Sequence, residues 1–303
     1  MSSTIRIGTR DSELALWQAN TVKNKLEALG YKTTLVPVKS DGDLKLDQPL
    51  YQLGITGIFT KTLDVALLNG TIDIAVHSLK DVPTALPKGI VQAAVLERGN
   101  TSDVLLHKGL DFLESTGLVA TGSLRRKAQW LHRYPKHRIT DLRGNVNTRL
   151  QKLADHPWDG AIFAAAGLER INLLPKNSVV LNWMIPAPAQ GAMMIACKED
   201  HLFTQEAVST LNHRETELCT SIERAFLKTL EGGCTAPIGA LAYIVNDTVH
   251  FNGVLFALDG STKFTVQKKV ALKDAEGLGV QCALTLLDNG GADLMKDIKA
   301  QMK

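Results

Sequence analysis

The stretch Thr4-Ile5-Arg6-Ile7-Gly8-Thr9-Arg10-Asp11-Ser12-Glu13-Leu14-Ala15-Leu16 decides the fold. Thr4 to Gly8 carries β-branched residues at alternate positions and reads as a strand. From Glu13 to Leu29 the apolar period lengthens to that of a helix. Asp11 or Ser12 serves as its N-cap and Gly30 follows its last turn. Thr33 to Val38 reads as a second strand, Phe59 to Asn69 as a second helix closed by Gly70, and Ile72 to Val76 as a third strand. This βαβαβ order predicts a mostly parallel sheet flanked by helices. Between them, Lys39 to Ile58 is polar, contains glycine and has no period. Its length predicts a functional lid rather than a simple connection.

The pattern then restarts. Leu118 to Ala120, Arg138 to Leu142 and Ala161 to Ala164 read as strands, separated by helices at Ser123–Tyr134 and Asn145–Ala154. Beyond Arg214 the style changes. A helix from Glu215 to Leu230 precedes β runs at Ala240–Val245, Thr248–Leu258 and Lys263–Leu272, with a further helix near Asp274–Asp288. The expected fold class is therefore two α/β lobes plus a smaller C-terminal α+β domain. Met193 to Cys197 is a candidate for a segment returning to the first lobe. The expected boundaries are 1–97 with 194–213, then 98–193, then 214–303.

Composition bounds the function. A chain of 303 residues, 45% apolar and 21% charged, belongs with ordinary globular proteins. A net charge of +3 is too small to argue for nucleic acid. Distribution says more: seven of the twelve arginines lie between Arg125 and Arg170. That local excess asks for an anionic partner. No apolar run reaches the ~20 residues of a membrane span. The longest candidate, Met184 to Cys197, is broken by Pro186, Pro188, Gln190 and Gly191. The N-terminus lacks the apolar core of a signal peptide. Four cysteines with no C-x-x-C spacing argue against a disulfide scaffold or a structural zinc site. The expectation is a cytoplasmic monomer with no metal and no nucleic-acid or membrane partner.

Five segments could carry chemistry. At Gly8-Thr9-Arg10-Asp11-Ser12 and at Thr121-Gly122-Ser123-Leu124-Arg125-Arg126 a strand gives way to a helix. Each puts a hydroxyl, backbone N–H groups and an arginine where the helix dipole is positive, which suits a carboxylate or phosphate. Ordinary capping beside solvated arginines explains the same residues. Arg143 closes a strand, where open α/β sheets bind ligands, and Arg149 lies one turn into the next helix. A solvated helix face is the alternative there. His77-Ser78-Leu79-Lys80-Asp81-Val82-Pro83 follows a buried strand, so Lys80 and Asp81 could anchor an anion and move protons. A turn stabilised by Asp81, with His77 hydrogen-bonded in place, is the alternative. In Glu231-Gly232-Gly233-Cys234-Thr235-Ala236-Pro237 the paired glycines leave a thiol unshielded. A small buried residue beside a helix cap would look the same. Cys197, Cys219 and Cys282 sit in periodic segments and read as core.

Taken in order, these motifs resemble the porphobilinogen deaminase family over nearly the whole chain. The resemblance rests on Gly8 to Ser12 with Leu14-Ala15-Leu16-Trp17-Gln18-Ala19, and on Ala75 to Pro83. It continues through Ser123 to Arg126, Leu142-Arg143-Gly144-Asn145-Val146, Thr148-Arg149-Leu150, Ala166-Gly167-Leu168 and Glu231 to Cys234.

The resemblance implies two lobes like those of type II periplasmic binding proteins, with a third domain carrying the cofactor cysteine. It implies a transferase that joins four porphobilinogen molecules head to tail with loss of ammonia, giving a linear tetrapyrrole. The chain would be primed on a dipyrromethane cofactor held by a thioether to Cys234. Asp81 would be the catalytic carboxylate, handling protons and stabilising the cation left when ammonia departs. Lys80, Asp81, Ser123, Arg125, Arg126 and Arg143 would bind the cofactor. Arg10, Ser12, Lys61, Ser78, Arg149, Arg170 and Gln190 would bind substrate. Each pyrrole carries two carboxylates, so the growing product is a polyanion, and arginine's planar fork suits such groups.

Three departures from the family pattern stand out. A lysine is missing in Gly54-Ile55-Thr56-Gly57, a hydroxyl is missing at Gly122, and a glycine is replaced at Ala189. A bilobed anion-binding protein or an enzyme with a cysteine nucleophile would share parts of this pattern. The binding protein does not explain Gly-Gly-Cys in an added domain, and the cysteine nucleophile predicts an alkylatable Cys234 in the resting enzyme.

Overall fold

The computed structural model describes residues 4–38, 60–230 and 236–302. The lid expected over Lys39–Ile58 and the loop carrying Cys234 lie outside the described residues. The described residues gather into two compact units: 4–38, 60–99 and 191–218 in one, and 100–190, 219–230 and 236–302 in the other.

The first unit is built on β1 (Ile5–Thr9), α1 (Glu13–Ala28), β2 (Thr33–Pro37), α2 (Lys61–Leu68), β3 (Ile74–Ser78), β4 (Ile90–Val95) and, later in the chain, β10 (Met193–Lys198) with α6 (Leu202–Ser209). Its sheet runs β2-β1-β3-β10-β4. β1 is parallel to β2 and β3, whereas β10 is antiparallel to both β3 and β4. Ser12 caps α1, its hydroxyl accepting from the Ala15 N–H at 3.4 Å. Such a cap contributes about 1 kcal/mol. The apolar stripe Ala19, Val22 and Leu26 then closes over Ile5, Ile7, Ile74 and Val76.

The third strand lies two residues later than the sequence pattern predicts. Ile72 is instead tied to the last turn of α2, its N–H donating to the Ala66 carbonyl. At the other end, β10 pairs Met193 with Ser78 and Met194 with His77, which draws both residues into the strand. β4 and α6 were not anticipated.

The second unit contains β5 (Asp103–His107), β6 (Leu118–Ala120), α3 (Leu124–Arg133), β7 (Arg138–Thr140), α4 (Val146–Asp155), β8 (Gly160–Ala164), α5 (Ala165–Arg170) and β9 (Val179–Val180). Its sheet, β7-β6-β8-β5-β9, repeats the plan of the first: three parallel strands, an antiparallel fourth and an edge fifth. In the first sheet the antiparallel strand comes last in the chain, in the second it comes first.

The C-terminal part is α+β. β11 (Ile238–Val245), β12 (Thr248–Phe256) and β13 (Lys263–Ala271) form an antiparallel sheet, accompanied by α7 (Arg214–Thr229), α8 (Leu278–Leu286) and α9 (Ala292–Gln301). Phe226 of α7 meets Phe251 edge-on at 5.1 Å. Gly253 makes this approach possible, because a Cβ there would lie 2.6 Å from the Phe226 ring. The last expected helix starts later, behind Gly277 at φ +71°, and α9 was not anticipated.

Ala189, at one of the departures noted above, adopts φ +63° while fully buried. Its N–H donates to the Glu223 carboxylate at 2.6 Å. A left-handed backbone costs a residue with a Cβ roughly 1–2 kcal/mol, part of which glycine returns as unfolded-state entropy. Ala189→Gly is therefore expected to raise stability by about 0.5–1 kcal/mol, read as a later urea midpoint. An earlier or unchanged midpoint would show that the turn is not strained.

Candidate active site

In the first unit, Arg10, Ser78 and Asp81 line one cavity of about 30 Å³ together with Ala15, Gln18, Thr60, Leu63, Val76 and His77. The cavity sits where β1 and β3 end, the place at which open α/β sheets bind ligands. α1 supplies Gln18, whose amide donates to the Ser78 hydroxyl at 2.8 Å and fixes it. The chain leaves β3 through a 3-10 turn, Leu79–Asp81, which carries Lys80 and Asp81, both half-buried. Leu79 anchors that turn, fully buried and with its N–H donating to the Ala192 carbonyl. Ser12 serves as the α1 cap described above. Lys61 is exposed at the first position of α2 and is not among the residues lining the cavity.

His77 is 94% buried, and its Nε2 has no hydrogen-bond partner among the described residues. Burial, and then the Arg10 charge, push its pKa down to about 4. The imidazole is neutral at physiological pH. The sequence pattern offered a hydrogen-bonded turn residue instead.

In the second unit, Ser123 caps α3, accepting from the Arg126 N–H at 3.5 Å. The cap directs Arg125 and Arg126 inward, and both are buried. They converge on Asp103, whose carboxylate is wholly shielded from solvent. Arg125 Nη1 donates to Asp103 Oδ2 at 2.7 Å, and Arg126 donates to Oδ1 from Nε at 2.9 Å and from Nη2 at 2.8 Å. Gln190 completes the cluster, its amide donating to Asp103 Oδ1 at 3.0 Å and to the Thr101 carbonyl at 2.8 Å. Burial alone would raise the Asp103 carboxyl. The Arg125 and Arg126 guanidiniums outweigh that and hold it well below the usual carboxylate range.

Arg143 is buried just beyond β7, and burial lowers its pKa despite Asp141 nearby. Its Nη1 and the Arg125 Nε are buried without hydrogen-bond partners among the described residues. Arg149 of α4 donates from Nε to the Gly144 carbonyl at 2.7 Å. Arg170 ends α5 half-buried and is similarly desolvated, with Glu169 opposing the shift. Gly122 has a steric reason: a Cβ there would stand 2.7 Å from the Leu142 carbonyl oxygen, on the approach to Arg143.

Three residues of these clusters were not singled out from the sequence. Gln18 breaks the apolar stripe of α1, a signal that was available. Asp103 is a lone acid opening an apolar strand, and a buried acid demands cations. His77 was named only as a turn residue hydrogen-bonded in place.

Residues 5–206 match the family model described as porphobilinogen deaminase, dipyromethane cofactor binding domain, and residues 217–288 match porphobilinogen deaminase, C-terminal domain. Several solved structures are also similar. A periplasmic substrate-binding protein of an ABC transporter from Coxiella burnetii is 14% identical, with 68% of this chain and 91% of that one covered and a TM-score of 0.44. The periplasmic VFT2 domain of BvgS from Bordetella pertussis is 10% identical, with 69% and 86% covered and a TM-score of 0.43. YhfZ from Shigella flexneri is 14% identical, with 76% and 97% covered and a TM-score of 0.38. Matched through both of its parts, the chain belongs to the porphobilinogen deaminase family, transferases of tetrapyrrole biosynthesis that polymerise porphobilinogen on a dipyrromethane cofactor.

Proposed function

We propose that this chain joins four porphobilinogen molecules head to tail, with Asp81 as the catalytic carboxylate and Cys234 as the thioether anchor of the cofactor. The observation that carries the assignment is the cavity at the ends of β1 and β3, which Asp81 lines together with Arg10 and Ser78. A cation to hold a substrate carboxylate thus stands beside a carboxylate to face positive charge.

The residues of the second unit suit a cofactor with two carboxylates on each ring. Arg143 Nη1 and Arg125 Nε are buried donors left without partners among the described residues. An unsatisfied buried donor costs about 1–3 kcal/mol, which a carboxylate oxygen would remove. Asp103 neutralises one of the two guanidiniums it holds, so the Arg125–Arg126 pair retains one positive charge. We assign Lys80, Asp81, Ser123, Arg125, Arg126 and Arg143 to the cofactor. Arg10, Ser12, Ser78, Arg149, Arg170, Lys61 and Gln190 are assigned to substrate. Arg125, Arg126 and Gln190 would act from a scaffold fixed by Asp103, and Lys61 from an exposed position.

When bound, the dipyrromethane supplies the nucleophilic pyrrole carbon from which the product grows. Asp81 holds a negative charge opposite the positive charge that develops as ammonia leaves. The arginines bind and orient the carboxylates as a preorganised set. Three described cysteines, Cys197, Cys219 and Cys282, are buried, which suits a structural role for them and supports assigning the cofactor to Cys234. No described helix is long and apolar enough to cross a membrane. The division into 1–97 with 194–213, 98–193 and 214–303, acting as a monomer, belongs to the same proposal.

Intact-protein mass spectrometry tests the assignment. Protein expressed with porphobilinogen available should carry the added mass of two pyrrole units, and Cys234→Ser should carry none. Wild-type protein at its unmodified mass would overturn the cofactor assignment, and a loaded Cys234→Ser would move the anchor elsewhere.

A further inference from the structure

His77 is a buried polar group that the roles above leave unused. It is the fourth residue of β3, and the ladder places it opposite Met194 of β10. The residue lines the same cavity as Arg10, Ser78 and Asp81. Its Nε2 is shut off from solvent and has no partner among the described residues. A buried ring nitrogen without a partner costs free energy, and such exceptions call for an explanation.

The surroundings narrow what could satisfy it. A cavity of about 30 Å³ accommodates roughly two water-sized groups, about the bulk of one carboxylate. Among the lining residues Arg10 is a cation and Asp81 a carboxylate. Ser78 already accepts from Gln18, so its hydroxyl hydrogen remains to be donated onward. A second cation at position 77 would be opposed both by burial and by Arg10, and the ring is in fact held neutral. A neutral imidazole with its proton on Nε2 can add a donor for an anion without adding charge.

We propose that His77 is a substrate-binding residue, its Nε2–H donating to a carboxylate oxygen of porphobilinogen that Arg10 grips from the other side. The role rests on the function proposed above and adds a neutral donor to a site otherwise described by its arginines. It also has a consequence for Asp81. A carboxylate seated between His77 and Arg10 sets how far the attached pyrrole ring stands from Asp81. His77 therefore acts on affinity, while Asp81 acts on the chemical step.

The test uses the loaded enzyme in steady-state turnover, with cofactor content checked by mass. His77→Phe keeps a ring of similar size and removes the donor. KM for porphobilinogen should rise about tenfold or more, the effect of one hydrogen bond to a charged group, with kcat changed less than threefold. His77→Gln, which can place an amide N–H near the same point, should recover most of that loss. A porphobilinogen analogue lacking one carboxylate should bind wild-type and His77→Phe equally for one of the two possible deletions. An unchanged KM in loaded His77→Phe would overturn the proposal, as would a fall confined to kcat. If His77→Phe does not fold, the Gln variant and the two analogues decide on the same criteria. Failure of the underlying function looks different: wild-type protein itself would carry no cofactor and form no product.

Discussion

Replacing Asp103 with alanine is expected to destabilise the second unit by about 3–5 kcal/mol, the range for breaking a buried ion pair from one side. The geometry puts this case at the severe end. One fully buried carboxylate receives Arg125, two nitrogens of Arg126 and Gln190, all within 3.0 Å. Its removal takes away the carboxylate on which two buried guanidiniums converge. Outside the carboxylate, Arg125 is bonded to the Ile185 carbonyl and Arg126 to the Ile162 carbonyl, neither of which carries a charge. Against a typical total stability of 5–15 kcal/mol, such a loss unfolds much of the population on modest warming. Chemical denaturation followed by near-ultraviolet circular dichroism reads the effect, and a shift worth less than ~1 kcal/mol would show that the cluster is not a structural keystone. Asp103→Asn, which keeps an acceptor and loses the charge, should fall between. The pH dependence has a fixed sign. Because the folded-state pKa lies below the ordinary value, the contribution is full above ~3.9 and is lost as the pH falls from there towards the folded value. Wild-type protein should show this acid limb, and Asp103→Asn should lack it.

This cluster also shows where reading the sequence stops. Local features were legible. Ser12 caps α1 and Gly30 follows it because capping depends on a few consecutive residues. The parallel core of each sheet followed from the βαβ order, and the return of Met193–Cys197 to the first sheet was readable as a candidate. Features set by distant partners were not. β3 ends at Ser78 rather than Val76 because β10, more than a hundred residues later, supplies its ladder partner. Arg125 and Arg126 were readable as anion ligands, but their first anion is Asp103, brought in from another strand. Nothing in the local pattern of either segment encodes that meeting. The same holds for Gln190, read from its motif as a substrate ligand and found bonded to Asp103 and Thr101. Cys234 was legible through its motif alone and lies outside the described residues.

Asp81→Ala is expected to lower kcat about a thousandfold or more while leaving the fold intact. Proton handling by a positioned side chain is worth roughly 10²–10⁴, and electrostatic stabilisation of developing charge has a similar range. Stability should hardly change, because Asp81 is only half-buried and its turn is anchored by the neighbouring Leu79, which is fully buried. The pattern of loss carries the mechanism. If the carboxylate's charge opposes the cation formed as ammonia leaves, Asp81→Asn should be nearly as slow as Asp81→Ala, since the amide keeps the shape and not the charge. If position matters as well, Asp81→Glu should recover only part of the rate, its longer stem displacing the charge within a cavity of about 30 Å³. Near-normal product formation by Asp81→Ala would remove the residue from its role. The comparison with His77 sharpens the point. Both side chains line one cavity, yet Asp81 substitutions should act on kcat and His77 substitutions on KM. An enzyme in which both moved the same parameter would be using the cavity as a single binding surface, without separating grip from chemistry.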